Sequence, residues 1–560
     1  MNRSSLSVAL SFAFANVAFG QTLPPSAGDA LRQATPPVPK QQTPALPSIG
    51  NLPPAPMTAL AGGTAAVAVK AVVVEGNRVI DTAALQAQVA DAAGKTLTLA
   101  QMEEYAARLT LFYRTHGYFV ARAYVPEQDL TDGNLKLRVV EGNYGNFILE
   151  NRSYVRDDVV QGLLDDIKGR DIVSLDTLER AMLIINDTPG VKVVKADVMP
   201  GQKVGTSDFA VGTEATQRYD GFVLADNHGS RYTGKERVSF GANWNSPTAR
   251  GDRLVVAGLA TTNGGLLNAR FAYSTLVRTD GTRVEGAVGR TTYSLGDAYA
   301  ELGAKGRADS YELNITNPFK RTRDASVELG AGLVHRNLRD DVAAGSTRTR
   351  KISDALALRV NGNWTHAVLG YEGLSTASGA LTFGRLRFDD AATAALDAAG
   401  ANTAGNWTKL NVETARVTLL PHDLQLNLTA RAQTVLNNRN LDGSEKLTIS
   451  GVGGVAAYPL GELAGDRGVV TRAELASPLG TVQGAQLQGT VFTSWGLARA
   501  SNPIVPAQQT HQLADAGIGL NVNAGHALLR VMLATRIHGG APTSEPTPRT
   551  RLLLQAGGTF

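Results

Sequence analysis

From residue 219 to the C-terminus, short segments alternate small or polar residues with larger apolar ones. The segments are FVLAD (222–226), VSFGANW (238–244), RLVVAGLA (253–260), LNARFAY (267–273), RVEGAVGR (283–290), SVELGAGLVH (326–335) and LQLNLTARA (424–432). A period of two sends successive side chains to opposite faces of a strand. Turn pairs such as Asn263-Gly264 and Asp280-Gly281 fall between segments, where hairpins need them. At roughly 20 residues per strand and connection, the region 219–560 predicts about sixteen strands. A soluble sandwich or propeller of that size needs heavy apolar inner faces and regular repeats, and no blade-length repeat is present. A closed barrel in lipid satisfies every backbone polar group, and its polar alternate face lines a wet lumen. The last residues fit a lipid-facing final strand: Leu552, Leu554, Ala556 and the terminal Phe560 alternate.

Upstream the period changes. VAVKAVVVEG (67–76) reads as a strand, 81–93 and 99–116 as helices, and 118–125 and 134–141 as two more strands joined by a turn at Thr131-Asp132-Gly133. Within the second helix Met102, Tyr105, Leu109, Phe112 and Tyr113 share a face. The order β-α-α-β-β then recurs: FILE from Phe147, helices over 154–164 and 175–186, and strands over 191–198 and 207–211. Turns at Pro189-Gly190 and Pro200-Gly201 punctuate this second copy. Two copies of a unit of about 75 residues ahead of a different domain suggest tandem docking modules, whose open sheet edges can take up an extended peptide. Spacers are the plainer alternative.

Residues 1–20 (MNRSSLSVALSFAFANVAFG) carry one cation, an apolar stretch and a small-x-small end, which predicts a secretory signal peptide. The segment 21–66 is rich in Pro, Ala and Gln and predicts an extended tether; within it 26–33, capped by Ser26, reads as a short helix, with an unstructured linker as the plainer alternative. Past residue 20 no run is long and apolar enough for a membrane helix. Composition narrows the function. There is no Cys, which removes disulfides, thiolate metal sites and a Cys nucleophile. The balance of 54 Lys+Arg against 50 Asp+Glu is too even for a nucleic-acid binder of this length.

The segments 117–142 (GYFVARAYVPEQDL…GNLKLRVVEG), 175–191 (LDTLERAMLIINDTPGV), 226–238 (DNHGSRYTGKERV), 250–254 (RGDRL), 301–309 (ELGAKGRAD), 317–329 (NPFKRTRDASVEL) and 438–468 (NRNLDGSEKLTISGVGGVAAYPLGELAGDRG) occur in this order. In these the chain resembles the outer-membrane transporters of two-partner secretion, of the hemolysin-activation and filamentous-hemagglutinin secretion type. The resemblance implies α+β periplasmic domains followed by an all-β domain. These would be two POTRA-like (polypeptide-transport-associated) βααββ domains at 67–143 and 146–212, then a sixteen-stranded transmembrane β-barrel at 219–560. It implies a plug helix including Asp29, Leu31 and Arg32, and a loop near 450–468 folded into the lumen. Its partner would be an unfolded secreted exoprotein with a secretion domain, such as an adhesin, cytolysin or contact-dependent toxin. That partner would thread a monomeric pore set in outer-membrane lipid, with no cofactor, nucleotide or nucleic acid.

The family pattern places an Arg at the loop tip and an Asp in a barrel-wall F-x-D-x-G motif. This sequence departs from both. Val455, Ala456, Ala457 and Tyr458 put Ala456 in place of the Arg, and Phe492, Ser494 and Gly496 frame Ser494 in place of the Asp. One missing partner would strand a charge at a cost of several kcal/mol, whereas losing both strands none. Two explanations stand at this point. Tyr458, Asp466 and Arg467, in a loop that also carries Pro459, Gly461, Glu462, Gly465 and Gly468, hold the segment by other contacts; or the chain is a diverged, weakly active pore.

An enzyme is not expected. The eight His show no H-x-x-x-H or H-E-x-x-H spacing, and the Gly453-Gly454 pair lacks a phosphate-loop frame. The pairs Asp340-Asp341 and Asp389-Asp390 read as exposed loop charges, with a cation site as the alternative. The second function class is an outer-membrane assembly factor or a passive porin. Assembly factors usually carry more docking modules and porins none, so two modules favour the transporter.

Overall fold

The computed structural model describes residues 24–34, 65–169, 172–504 and 509–560. The expected signal peptide and the Pro-rich run 35–64 lie outside the described residues.

Sixteen antiparallel strands close into one barrel. They are β1 (Tyr219–Asp226), β2 (Arg237–Asn245), β3 (Arg253–Thr261), β4 (Leu266–Leu276), β5 (Arg283–Ser294), β6 (Ala304–Arg321), β7 (Ala325–Val342) and β8 (Thr347–Val368). The second half comprises β9 (Tyr371–Phe388), β10 (Gly405–Leu419), β11 (Gln425–Val435), β12 (Arg467–Val482), β13 (Ala485–Arg499), β14 (His511–Ala524), β15 (Ala527–His538) and β16 (Thr550–Thr559). β16 closes the ring on β1 over a short register, from Gln555↔Asp226 to Thr559↔Phe222. Alternation does the sorting. Phe271, Val288 and Tyr311 fall in register on one exposed face, while Ala272, Ala287 and Ala308 are buried on the other. An apolar belt thus meets lipid and a small or polar face lines the lumen.

Before the barrel lie two β-α-α-β-β units. In the first, Ala71–Glu75 pairs parallel with Asn134–Val140, which pairs antiparallel with Arg122–Tyr124. Helices Thr82–Val89 and Leu99–Thr115 pack Leu85, Leu109 and Tyr113 against Leu135 and Leu137. Tyr113 Oη donates to the buried Glu141 at 2.9 Å, and burial beside that carboxylate pushes the phenol far up. In the second unit Thr206–Glu214 is central, parallel to Asn143–Arg152 and antiparallel to Lys192–Pro200.

Three expectations need correction. The strand expected over 67–76 is two strands, Ala66–Ala68 and Ala71–Glu75, because Val69 turns aside to bond Lys95 O and Gly94 N. The strand expected over 118–125 shrinks to Arg122–Tyr124, since Tyr118 N and Ala121 N close turns onto Tyr113 O and Tyr118 O. Asp340 and Asp341 are not loop residues: both lie on β7, one facing the lumen and its neighbour facing out.

The second unit rests on the barrel's turns. Arg321 Nε and Nη2 bond Asp187 at 2.7 and 3.0 Å, Arg180 Nη1 donates to Pro318 O at 2.7 Å, and Arg323 pairs with Glu179 at 2.6 Å. These contacts fix which barrel end faces the docking units, and the connection from β11 to β12 springs from the other end.

Candidate functional site: the lumen loop and the N-terminal helix

Helix α1 (Ala27–Gln33) is capped by Ser26, whose N donates to Asp29 Oδ2 at 3.1 Å while Asp29 N donates back to Ser26 Oγ. Asp29 also pairs with Arg32 at 3.0 Å. Ala27 and Ala30, with Leu31 against them, pack on Leu259, Leu266, Tyr293 and Leu338, all at the barrel end remote from the docking units. Ala27 N donates to Asp340 Oδ1 at 2.6 Å, and Tyr293 Oη donates to the same oxygen at 2.7 Å. Two glycines let the helix touch the lumen loop. A Cβ on Gly28 would run into Asp442 Oδ1 and lie 2.6 Å from Ser444 N; one on Gly443 would lie 2.7 Å from Asp29 Oδ1.

The loop itself, residues 436–466, is held along its length by wall charges. Lys351 of β8 bonds Asp442 at 2.6 Å. Burial alone would raise the Asp442 carboxyl, but the ammonium beside it holds it well below the usual range. Glu445 is treated alike: Lys409 at 2.7 Å and the Arg336 guanidinium outweigh its burial and lower its carboxyl. Gln433 Nε2 donates to Glu445 O and Asp466 O, both at 3.0 Å. Asp466 accepts from Leu441 N at 3.1 Å and Ser501 N at 2.8 Å, and burial pushes its carboxyl up.

At the tip, Val455, Ala456, Ala457 and Tyr458 are fully buried. Ala456 C=O and Ala457 N–H belong to one peptide group. Ala457 N donates to Asp515 Oδ2 of β14 at 2.8 Å, while Arg551 Nη1 of β16 donates to Ala456 O at 3.0 Å and to Tyr458 O at 2.5 Å. A peptide dipole is therefore clamped between an anion and a cation, both supplied by the wall. Tyr458 Oη reaches His538 O at 2.8 Å and Gly540 O at 2.9 Å. Glu462 receives Thr543 N and Ser544 N, each at 2.8 Å, tying the loop to the β15–β16 connection.

The remaining positions sort as follows. Phe492 packs on Ala456 and Ala457, with the Arg472 guanidinium 3.8 Å from its ring centre. Ser494 is buried and stands in register with Asp515. Gly496 leaves room for the loop's Ile449, which a Cβ would meet at 2.6 Å. Pro459 O receives Glu462 N, Gly461 takes a positive φ of 93°, and Gly465 pairs with Leu447. Arg467 and Gly468 begin β12 opposite Arg499 and Ala498, so they belong to the wall rather than to the loop; Arg467 Nη2 reaches Asn438 Oδ1 at 3.1 Å. Sequence reasoning missed Asp515, Arg551, Lys351 and Asp442. A signal for the first was available: Asp515 is the one acidic residue in HQLADAGIGLNVNA.

A closed sixteen-stranded barrel preceded by β-α-α-β-β units, with a loop and a helix drawn into its lumen, defines an outer-membrane polypeptide transporter. The family model described as haemolysin secretion/activation protein ShlB/FhaC/HecB matches residues 205–522, and that of the ShlB-type POTRA domain matches residues 67–142. The chain belongs to the ShlB/FhaC/HecB family, and is an outer-membrane transporter of two-partner secretion with its POTRA region in the periplasm. Over 447 residues it is 25% identical to the heme/hemopexin transporter protein HuxB of Haemophilus influenzae, covering 79% of this chain and 78% of that one. It is 24% identical to the outer membrane transporter CdiB of Escherichia coli, over 82% of this chain and 77% of the relative. A solved structure of CdiB from Escherichia coli superposes with a TM-score of 0.73 at 20% identity, covering 95% of each chain.

Proposed function

We propose that this transporter exports one partner exoprotein of the adhesin, cytolysin or contact-dependent toxin kind, and that α1 together with the lumen loop closes the pore until that partner engages. The likeness to a heme/hemopexin transporter adds a hemopexin-directed exoprotein to the cargoes worth testing. The unfolded partner docks on the periplasmic units, displaces the helix, threads the barrel and folds outside, with no catalytic step and no nucleotide. The observation that carries this reading is the clamped peptide 456–457. A loop tip without its family arginine is still anchored, by Asp515 and Arg551. That favours a working transporter over a weakened one.

The test is secretion, in a reporter strain, of a co-expressed exoprotein that carries a secretion domain and whose gene is found beside the one for this chain, with the intact chain and with residues 24–34 deleted. Export by the intact chain together with raised channel conductance in the deletion supports the proposal. Export that proceeds unchanged when this chain is absent refutes it.

A further inference from the structure

Beside the charges that face the lumen, the barrel carries a second set that faces outward. Along β8 the exposed apolar belt runs from Trp364 through Val360 and Leu358 to Leu356, about the length a tilted strand needs to cross hydrocarbon. Leu356 lies in register with Leu333 of β7 and Phe383 of β9, both exposed. Toward the cell surface the next outward positions turn mostly charged. Asp354 stands between His335 and Arg385, Ile352 between Asn337 and Arg387, and then Arg350 and Arg348 stand opposite Arg339 and Asp341. On β6, Arg307 and Lys305 occupy the same rows, and Arg290 of β5 pairs with Asp309 at 2.5 Å.

The cations outnumber their partners. Arg387 bonds Asp354 at 2.6 Å, Arg339 and Arg348 share Asp341 at 2.7 and 2.6 Å, and Arg350 reaches Asp389 at 3.6 Å. Arg307 adds a second guanidinium to Asp309 at 3.0 Å. Among the described residues Arg385 and Lys305 have no ion pair. The opposite wall differs: at the same end of β1–β3 and β15–β16 the outward rows read Ala225, Val238, Ala260, Thr535 and Thr550.

We propose that this one-sided basic ledge on β5–β9 binds the phosphorylated sugar headgroup of the outer-leaflet glycolipid, lipid A. Guanidinium forks match phosphate oxygens two at a time, which an ammonium does not. The ledge begins where the hydrocarbon-facing belt stops, so acyl chains lie along Leu333, Leu356 and Phe383 while the phosphates meet Arg350, Arg385 and Arg387. That grip pins the long hairpins in the leaflet and leaves the β16–β1 seam side ungripped.

The test titrates the full chain in detergent with bisphosphorylated lipid A, monophosphoryl lipid A and inorganic phosphate, read by native mass spectrometry. The proposal expects bisphosphorylated lipid A to be retained, the monophosphoryl form to bind more weakly, and retention to fall as salt rises. Lys305→Gln with Arg385→Gln removes no ion pair of the fold and is expected to weaken binding about tenfold. Adding Arg350→Gln and Arg387→Gln is expected to abolish it, with the heat-modifiable mobility of the folded barrel unchanged. Inorganic phosphate binding as well as lipid A would make the ledge a general anion patch and overturn the proposal. Equal lipid A binding by the variants overturns it too, and if those variants also lose exoprotein secretion, the ledge is a docking surface for the partner instead.

Discussion

The clamp on the loop tip makes a quantitative prediction for Arg551→Met. Arg551 Nη1 donates to two loop carbonyls, Ala456 O and Tyr458 O. Each charge-assisted bond contributes about 1.5–3 kcal/mol net, and methionine keeps most of the packing volume while donating nothing. Taking the lower figure for each gives about 3 kcal/mol, so the population with the tip released rises about a hundredfold. Because the natural chain has no Cys, Ala457→Cys places a single thiol at a fully buried position without touching the Ala457 N–H. Maleimide labelling of that thiol reports the released population. Arg551→Met should speed labelling about a hundredfold, whereas Arg549→Met, which removes only a 3.3 Å bond to Arg536 O, should leave it unchanged. Labelling that is equally slow in Arg551→Met and in its parent would refute the clamp.

Gly28→Val should unseat α1, because its branched side chain runs into Asp442 and the Ser444 backbone; planar-bilayer conductance should rise to the level of a 24–34 deletion. Lys351→Met strands a buried carboxylate, a loss of about 3–5 kcal/mol, and Asp442→Leu in the same chain should restore most of the thermal stability. Asp442 has a lowered carboxyl, so its stabilisation is complete above the ordinary carboxylate range and is lost only as pH falls through the lowered value. Protection of the backbone around residue 442, followed by hydrogen exchange, should accordingly vary less with pH near neutrality in the natural chain than in Lys351→Met. Ser494→Asp would face one carboxylate with another across the Ser494↔Asp515 pair; its melting temperature should drop, and Ala456→Arg should recover it.

The barrel was legible because lipid on one side and water on the other impose a strict period of two, and strands such as β3 and β7 show it openly. The hairpin β8–β9 was harder to read. Its surface half places Arg348, Arg350, Arg385 and Arg387 on the outward face, where the pattern of the belt no longer applies. The shortened strand Arg122–Tyr124 was misread because a helix exit at Tyr118 and Ala121 competes with β propensity through backbone turns that side-chain type does not encode. At the site, Tyr458, Glu462 and Asp466 could be named from sequence because their side chains do the bonding. The clamp could not, since what Asp515 and Arg551 grip is backbone, and Ala456 and Ala457 give no sign of it.

The most direct test of the central claim is secretion of the co-expressed partner exoprotein by four forms: the natural chain, Asp515→Ala, Arg551→Met, and Ala456→Arg with Ser494→Asp. The account predicts efficient export by the natural chain, reduced export by Asp515→Ala and Arg551→Met at equal amounts of folded barrel, and no gain from the double change. Export only by the Ala456→Arg, Ser494→Asp form would contradict it, and would mean that the wall charges do not replace the missing pair.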